Sequence, residues 1–412
     1  MAPAGSYAAL TAAIRAGAGS VYFGVGHLNM RSRAASPFTV DDLRRIARIC
    51  RWCNVRSYLA LNTLVYDDDL PTMHQLCDAA ADAGISAVIA TDISTIHYAR
   101  QIGLEVHLSV QVNISNLEAV RFYAAYADTI VLARELSLEQ IANICRAVRE
   151  EPILGPSGRP VQIEIFVHGA LCVAISGKCY MSLGVYNSSA NRGACLQNCR
   201  RRYRVIDDET GDELLIDNHF VMSPRDLCTI SELPRLLASG VRVLKIEGRG
   251  RTADYVATTV RVYREALETI ESNTFSQEKA REWKQQLRQV YNRDFWEGGY
   301  YCGAPLGEWS ASGHSRATIQ RDQIGIVSNY YARAGIAEFQ LKKPCLELGQ
   351  EILIEGPTTG ALRCTVDELR VDGLPARQAT KDDIVTLPVP RRIRRNDKIF
   401  LHSLRNSPDT TA

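Results

Sequence analysis

The feature that most constrains this chain is a repeated alternation of short apolar runs with segments whose apolar residues recur every three or four positions. SVYFGV (20–25), RSYLALNTLV (56–65), SAVIAT (86–91), EVHLSVQ (105–111), DTIVLA (128–133), VQIEIFVHG (161–169) and VRVLKIEG (241–248) read as buried strands. Between them lie SYAALTAAIRAG, VDDLRRIARICRWC, LPTMHQLCDAAADAG, ISTIHYARQIG, NLEAVRFYAAYA, SLEQIANICRAVRE and SELPRLLASG, which carry helical spacing. Four of them end in Gly, where a helix C-cap is expected. Strands apolar on both faces, alternating with helices, fit a parallel sheet covered by helices. A truncated first strand at Met1–Pro3 brings the number of units to eight. No G-x-G-x-x-G follows a strand, which removes the main reason to prefer a dinucleotide fold. The expected fold is therefore α/β, a (β/α)8 TIM-like barrel over residues 1–305.

After Ile324 the pattern changes to short alternating runs separated by Gly, Pro and Asp-Gly turns, which predicts a small C-terminal antiparallel β-barrel domain over 322–405. The polar, glycine-containing stretch SASGHSRATIQRD marks the boundary, between roughly 305 and 322. Two outer helices are expected within 252–292, and the last residues, NSPDTTA, read as a frayed tail. No apolar run reaches membrane-spanning length, and Met1-Ala2-Pro3-Ala4-Gly5 lacks a signal-peptide layout, so a cytoplasmic protein is expected. Twelve cysteines in such a chain are expected to be free thiols rather than disulfides. The net charge of +2 neither favours nor excludes a nucleic-acid partner, since local basic patches decide that.

Active sites of such barrels lie at the C-terminal ends of the strands. Polar residues there include Asn62, Asp92, Gln111, Arg134, Glu135, His168, Lys245, Glu247 and Arg249. Asp92 and Ser94 are better explained as helix caps. The densest chemistry falls in 164–228, where Cys172, Cys179, Cys195, Cys199 and Cys228 occur among glycines that allow sharp turns. Thiolates that converge from loops can hold zinc or an iron–sulfur cluster, and their softness does not choose between the two. No pair of C-x2-C knuckles, the usual mark of structural zinc, is present. Isolated cysteines such as Cys77 and Cys145 read as small core residues.

Glu164-Ile165-Phe166-Val167-His168-Gly169-Ala170-Leu171-Cys172, followed by Ser176-Gly177-Lys178-Cys179-Tyr180-Met181-Ser182, closely resembles the signature of the U32 peptidase, or collagenase-like protease, family. The resemblance extends to Ala2-Pro3-Ala4-Gly5, Tyr22-Phe23-Gly24 with Leu28-Asn29-Met30-Arg31, Asn191-Arg192-Gly193-Ala194-Cys195, Ser223-Pro224-Arg225-Asp226-Leu227-Cys228 and Lys245-Ile246-Glu247-Gly248-Arg249. It covers residues 1 to about 300, and the C-terminal β-domain is similar to that of longer members. One departure is the short first strand.

The resemblance implies RNA hydroxylation without dioxygen, most similarly at carbon 5 of the tRNA wobble uridine, with prephenate as oxygen donor and a 4Fe-4S cluster as cofactor. Ribosomal RNA and a quinone precursor are the substrates of other members. By motif it implies Cys172, Cys179 and Cys195 as cluster ligands, with Cys228 or Cys199 as the fourth and Cys228 favoured by SPRDLC.

His168, Lys245, Glu247 and Arg249 are the expected substrate-binding residues: prephenate carries two carboxylates, which call for the cations Lys245, Arg249 and Arg251 after the eighth strand, and His168 is placed to donate or accept a proton near the cluster. Their alternative is a salt-bridged face. Arg200, Arg201, Arg202 and Tyr203 are the expected tRNA contacts, with Tyr203 placed to stack a base. Arg391, Arg392, Arg394 and Arg395 form a second basic run in the β-domain. No catalytic residue is assigned. Proteolysis is the alternative activity, and a His168–Cys172 pair is conceivable for it, but neither H-E-x-x-H nor G-x-S-x-G is present. A third alternative is a non-catalytic scaffold in which a cluster only stabilises the fold.

Overall fold

The structure is a computed structural model that describes residues 1–32, 38–204, 206–213, 222–303, 309–310 and 312–405. Eight parallel strands run in the order β1 (Ala2–Pro3), β2 (Ser20–Gly24), β3 (Arg56–Leu61), β4 (Ala87–Ala90), β5 (Val106–Leu108), β6 (Thr129–Val131), β7 (Gln162–Gly169) and β9 (Val243–Ile246). The helices that cover the sheet are α1 (Tyr7–Arg15), α2 (Asp42–Trp52), α3 (Leu70–Ala83), α4 (Ile93–Gln101), α5 (Leu117–Ala124) and α6 (Leu138–Glu150). They are followed by α7 (Met181–Tyr186), α8 (Leu233–Ala238), α9 (Ala253–Glu271) and α10 (Gln277–Gln289). β9 lies beside the start of the chain, where Ile246 N–H donates to the Met1 carbonyl at 3.1 Å.

Local chemistry explains these elements. In α2, Leu43, Ile46, Ala47 and Cys50 are buried at helical spacing, and the arginines between them face outward. In α6, Ser137 and Gln140 form a reciprocal capping box. Gly84 ends α3 with φ of +74°, a left-handed conformation that costs glycine little. Asp92 caps α4 through the Ser94 amide, as its sequence context suggests, and also accepts from Val65 N–H.

Two short strands were not foreseen. β8 (Asp226–Cys228) pairs antiparallel with the end of β7, and β10 (Phe295–Glu297) pairs parallel with β8. Three residues give too little periodicity to distinguish a strand from a loop.

β11 (Ile319–Tyr331) begins the second layer of structure, three residues before the position expected from the sequence. It belongs to an eight-stranded antiparallel sheet that extends to Lys398–Leu404 and has its own apolar core around Ile324, Phe339, Ile354 and Val385. Part of the connecting stretch, and the NSPDTTA tail, lie outside the described residues. Arg363 joins the two parts by donating twice to Asp254 Oδ1 of α9, at 2.9 and 2.8 Å, and once to Gln289 Oε1 of α10. Glu355 accepts from the Asp254 amide and pairs with Arg321 at 2.8 Å. Among the described residues no helix is long and apolar enough to cross a membrane.

Candidate functional site

A cavity of about 360 Å³ opens where the parallel strands end. Its floor comes from β2, β3, β4, β7 and β9 through Tyr22, Ala60, Ile89, Phe166 and Lys245, and Asn62 and Gln111 reach it from the strand-end loops. The segment after β7 forms the roof and supplies Cys172, Cys179, Cys195 and Cys199. Gly193 holds that roof close to the loop after β2. Its φ is +81°, and an added Cβ would run into the Asn29 carbonyl oxygen. Ser32 Oγ also donates to the Gly193 carbonyl at 3.1 Å.

Charge distinguishes this cavity from a packed core. Among the described residues Arg31, Arg134, Arg200, Lys245, Arg249, Arg251 and Arg293 line it, against the two carboxylates of Glu135 and Glu247. Glu247 pairs with Arg31 at 3.0 Å. Burial alone would raise the Glu247 carboxyl, but Arg31, Arg251 and Arg134 outweigh it and hold the group below its ordinary value. Lys245 pairs with Glu164 at 2.7 Å, and both side chains are buried. Arg249 is buried and donates to Asn29 Oδ1 at 3.0 Å, and burial pulls its guanidinium down to about 10. Lys245, Glu247 and Arg249 therefore meet at one site, as the sequence suggests.

His168 does not join them. β7 and β9 pair residue for residue up to Phe166 and Lys245, but His168 then pairs with Ile246, so one extra residue, Val167, is inserted in β7. Such a bulge reverses which face the following side chain occupies. Phe166 points into the cavity, whereas the His168 ring packs on Tyr255 and Tyr263 of α9 and on Phe295 of β10. Burial pushes the imidazole down to about 3, so it is neutral. The sequence places His168 at a strand end among the expected substrate-binding residues, and the bulge turns its ring away from the cavity that Lys245, Glu247 and Arg249 line.

The same geometry moves Cys228. It sits opposite His168 on β8, and directly opposed residues share a face. Its thiol accordingly lies toward α9 and α10, near Tyr263, Lys284 and Arg288, and burial raises it to about 11. Cys199, rather than the favoured Cys228, lines the cavity with Cys172, Cys179 and Cys195. Burial likewise raises Cys199 to about 11; Arg200 opposes that, while the Cys172, Cys195 and Cys179 thiols add to it. Four thiols sharing one cavity wall are the donor set that an iron–sulfur cluster requires. Among the described residues no three His, Cys, Asp or Glu side chains stand close enough to hold a metal ion. The thiols thus fit by kind and by shared wall, and would have to converge to hold a cluster.

The basic run is divided. Arg200 is turned inward, donating to Ser223 Oγ at 2.8 Å, to the Leu171 carbonyl at 2.7 Å and to the Pro224 carbonyl, so its guanidinium braces the roof and is not a surface contact. Arg201 is exposed, donates to Tyr186 Oη and lies over that ring. Arg202 is exposed, and Tyr203 is half-buried, with its hydroxyl donating to the Asn198 carbonyl at 2.9 Å. In the second domain Arg391 is likewise engaged, donating to the Thr359 and Ala361 carbonyls, while Arg392, Arg394 and Arg395 are exposed. Arg31 and Arg293 are cavity cations that the sequence reading did not single out. Arg31 could have been found, because it closes the Leu28-Asn29-Met30-Arg31 stretch after β2. Arg293 follows a helix in a region without strand-end signals, and nothing local marks it.

Residues 5–311 match the profile of Peptidase family U32. A collagenase from Porphyromonas gingivalis is 50% identical over 400 residues, covering 97% of this chain and 96% of that protein. The tRNA hydroxylation protein P1 of Bacillus subtilis is 29% identical over 376 residues, covering 90% of this chain and 86% of that one. A 23S rRNA 5-hydroxycytidine synthase of Escherichia coli is 34% identical over 271 residues, covering 66% of this chain and 39% of that protein.

Proposed function

The chain belongs to Peptidase family U32, and from that membership we propose that it is a dioxygen-independent RNA hydroxylase, forming 5-hydroxyuridine at the tRNA wobble position with prephenate as oxygen donor. The observation that carries this reading is the cavity itself: beneath four thiols, seven cations line it with Glu135 and Glu247, and even with Glu164 paired behind Lys245 and Asp226 behind Arg293 the cations remain in excess. A small dicarboxylate suits that charge, because hydrogen bonds from guanidinium and ammonium groups to carboxylates are shorter and stronger than neutral ones. Its volume suits a metabolite of that size, being at the lower end of small-ligand sites.

In this reading Cys172, Cys179, Cys195 and Cys199 hold a 4Fe-4S cluster, which supplies electron transfer or Lewis acidity. The protein residues have separate roles. Arg249 and Arg134 take the carboxylates, the Arg31–Glu247 pair fixes the floor, and the roof excludes water from the reacting atoms. Exposed Arg201 and Arg202 beside the mouth give the phosphate backbone of tRNA its contacts. The reading takes the eight parallel strands as a closed barrel, supported by the hydrogen bond between Ile246 and Met1. It also assumes the cytoplasm, where tRNA and reduced thiols coexist.

Proteolysis is the second reading, favoured by the collagenase name of the relative at 50% identity. A cysteine protease needs a thiolate paired with a His. Here His168 faces α9, and no histidine lines the cavity among the described residues.

Nucleoside analysis of tRNA from a deletion strain tests the choice. Loss of 5-hydroxyuridine-derived nucleosides, restored by the intact gene, is expected. Unchanged tRNA together with cleavage of denatured collagen by the purified protein would establish the second reading instead. The absorbance spectrum of anaerobically purified protein tests the cofactor separately, and a colourless, iron-free preparation would remove the cluster from the reading.

A further inference from the structure

Lys245 is a buried amine at the cavity wall. Lys245 projects from β9 to the cavity, and its hydrogen-bond partner among the described residues is Glu164 Oε1. The other oxygen of that buried carboxylate, Oε2, has no hydrogen-bond partner among the described residues. The Lys245 amine lies 5.0 Å from the centre of the Tyr22 ring and 5.3 Å from that of Phe166. Each ring also carries a guanidinium, Arg249 at 5.7 Å from Tyr22 and Arg134 at 3.8 Å from Phe166. The Lys245 amine thus shares a desolvated space with two guanidiniums and one carboxylate, and the buried Met1 α-amine, which donates to the Leu244 carbonyl, lies close enough to feel Glu164 and Lys245.

Burial is the main influence lowering the Lys245 ammonium below its ordinary value; Glu164 opposes that, and Arg249 and Arg134 add to it. Desolvation and a neighbouring cation are the two settings that turn lysine into an amine nucleophile. A purely structural ion pair needs neither an open cavity beside the amine nor two guanidiniums around it.

The same arrangement defines what the amine can attack. Lysine amines condense with carbonyl carbons, and the flanking guanidiniums call for a carboxylate next to that carbonyl. We propose that the cavity holds a 2-oxo carboxylate as an imine on Lys245 Nζ, with Glu164 carrying the proton. This rests on the reading of the cavity as a site for a small acid, but on neither RNA nor a cluster. Glu164 first takes the ammonium proton. The amine then forms a C–N bond to the keto carbon, the carbonyl electron pair moves to oxygen, and the nitrogen's surplus proton passes to that oxygen. Glu164 returns its own proton to the hydroxyl, which leaves as water while the nitrogen lone pair completes the C=N bond. Nothing is oxidised or reduced, and the iminium retains the original positive charge.

The test is to incubate the full-length protein with pyruvate or phenylpyruvate and sodium cyanoborohydride, then to measure intact mass and map the adduct by peptide. One reduced adduct on Lys245 is expected. It should be absent in Lys245→Arg, which keeps the cation and its partner, and should form roughly a hundredfold more slowly in Glu164→Gln. A melting curve for each variant shows that it is folded. No adduct on the folded wild type with either acid, or the same adduct in Lys245→Arg, would overturn the proposal. Because the readout is a covalent mass rather than a modified nucleoside, its failure is distinct from failure of the tRNA reading.

Discussion

Arg249 is buried, yet among the described residues its guanidinium gives one hydrogen bond, to Asn29 Oδ1, which leaves donors for a ligand. Arg249→Met should weaken prephenate binding by about 1.5–3 kcal/mol, the worth of a charged hydrogen bond, or roughly ten- to a hundredfold in Kd by calorimetry. An unchanged Kd would remove Arg249 from the binding role. His168 makes a different prediction. It is neutral when folded, with its imidazole held down to about 3, but regains its ordinary value of about 6.5 when unfolded. The unfolded chain therefore binds the extra proton, so this contribution to stability is complete above about pH 6.5 and is lost as pH falls toward about 3. At about pH 5 the loss is about 2 kcal/mol. His402, held down to about 4 by burial, acts in the same direction. His168→Gln should be less stable at neutral pH but should have a shallower acid slope in urea midpoints. Parallel slopes would show that His168 is not the titrating group.

At the scale of elements, the thiols separate by face. Cys199→Ser should bleach the anaerobic absorbance of the purified protein, while Cys228→Ser should keep it and cost only packing between β8 and α9. The reverse pattern would return the fourth ligand to Cys228. The sequence made the main elements legible because each strand is a solid apolar run and each helix has one apolar face, as α2 does with Leu43, Ile46, Ala47 and Cys50. Lys245, Glu247 and Arg249 were legible for a related reason, since polar residues just after a buried strand mark the site end of a parallel sheet. His168 and Cys228 were not. Their faces depend on the extra residue Val167 and on the pairing of a three-residue strand from 60 positions away, and neither leaves a trace in local periodicity.

For the whole molecule, the two parts meet along α1 and α9: Gly360 lies against the Ala12 backbone, Thr11 and Arg15 donate to the Pro357 and Thr358 carbonyls, and Arg363 pairs with Asp254. Asp254 is buried beneath it, so Arg363→Ala would leave an unpaired buried carboxylate at a cost of about 3–5 kcal/mol. Calorimetry should then resolve two unfolding transitions in the variant and one in the wild type, with faster proteolysis of the variant in the connecting segment. A single transition at the wild-type temperature would show that the contact is not what joins the parts. Asp254 also lies in the first turn of α9, only a few residues after Arg249 and Arg251 of the cavity wall. The stretch from Gly248 to Thr252 is thus anchored at one end in the site and at the other in the grip of the second domain. A macromolecule pulling on that domain would act as a lever, with the short stretch as its arm, and the first side chains displaced would be Arg249 and Arg251 of the cavity wall.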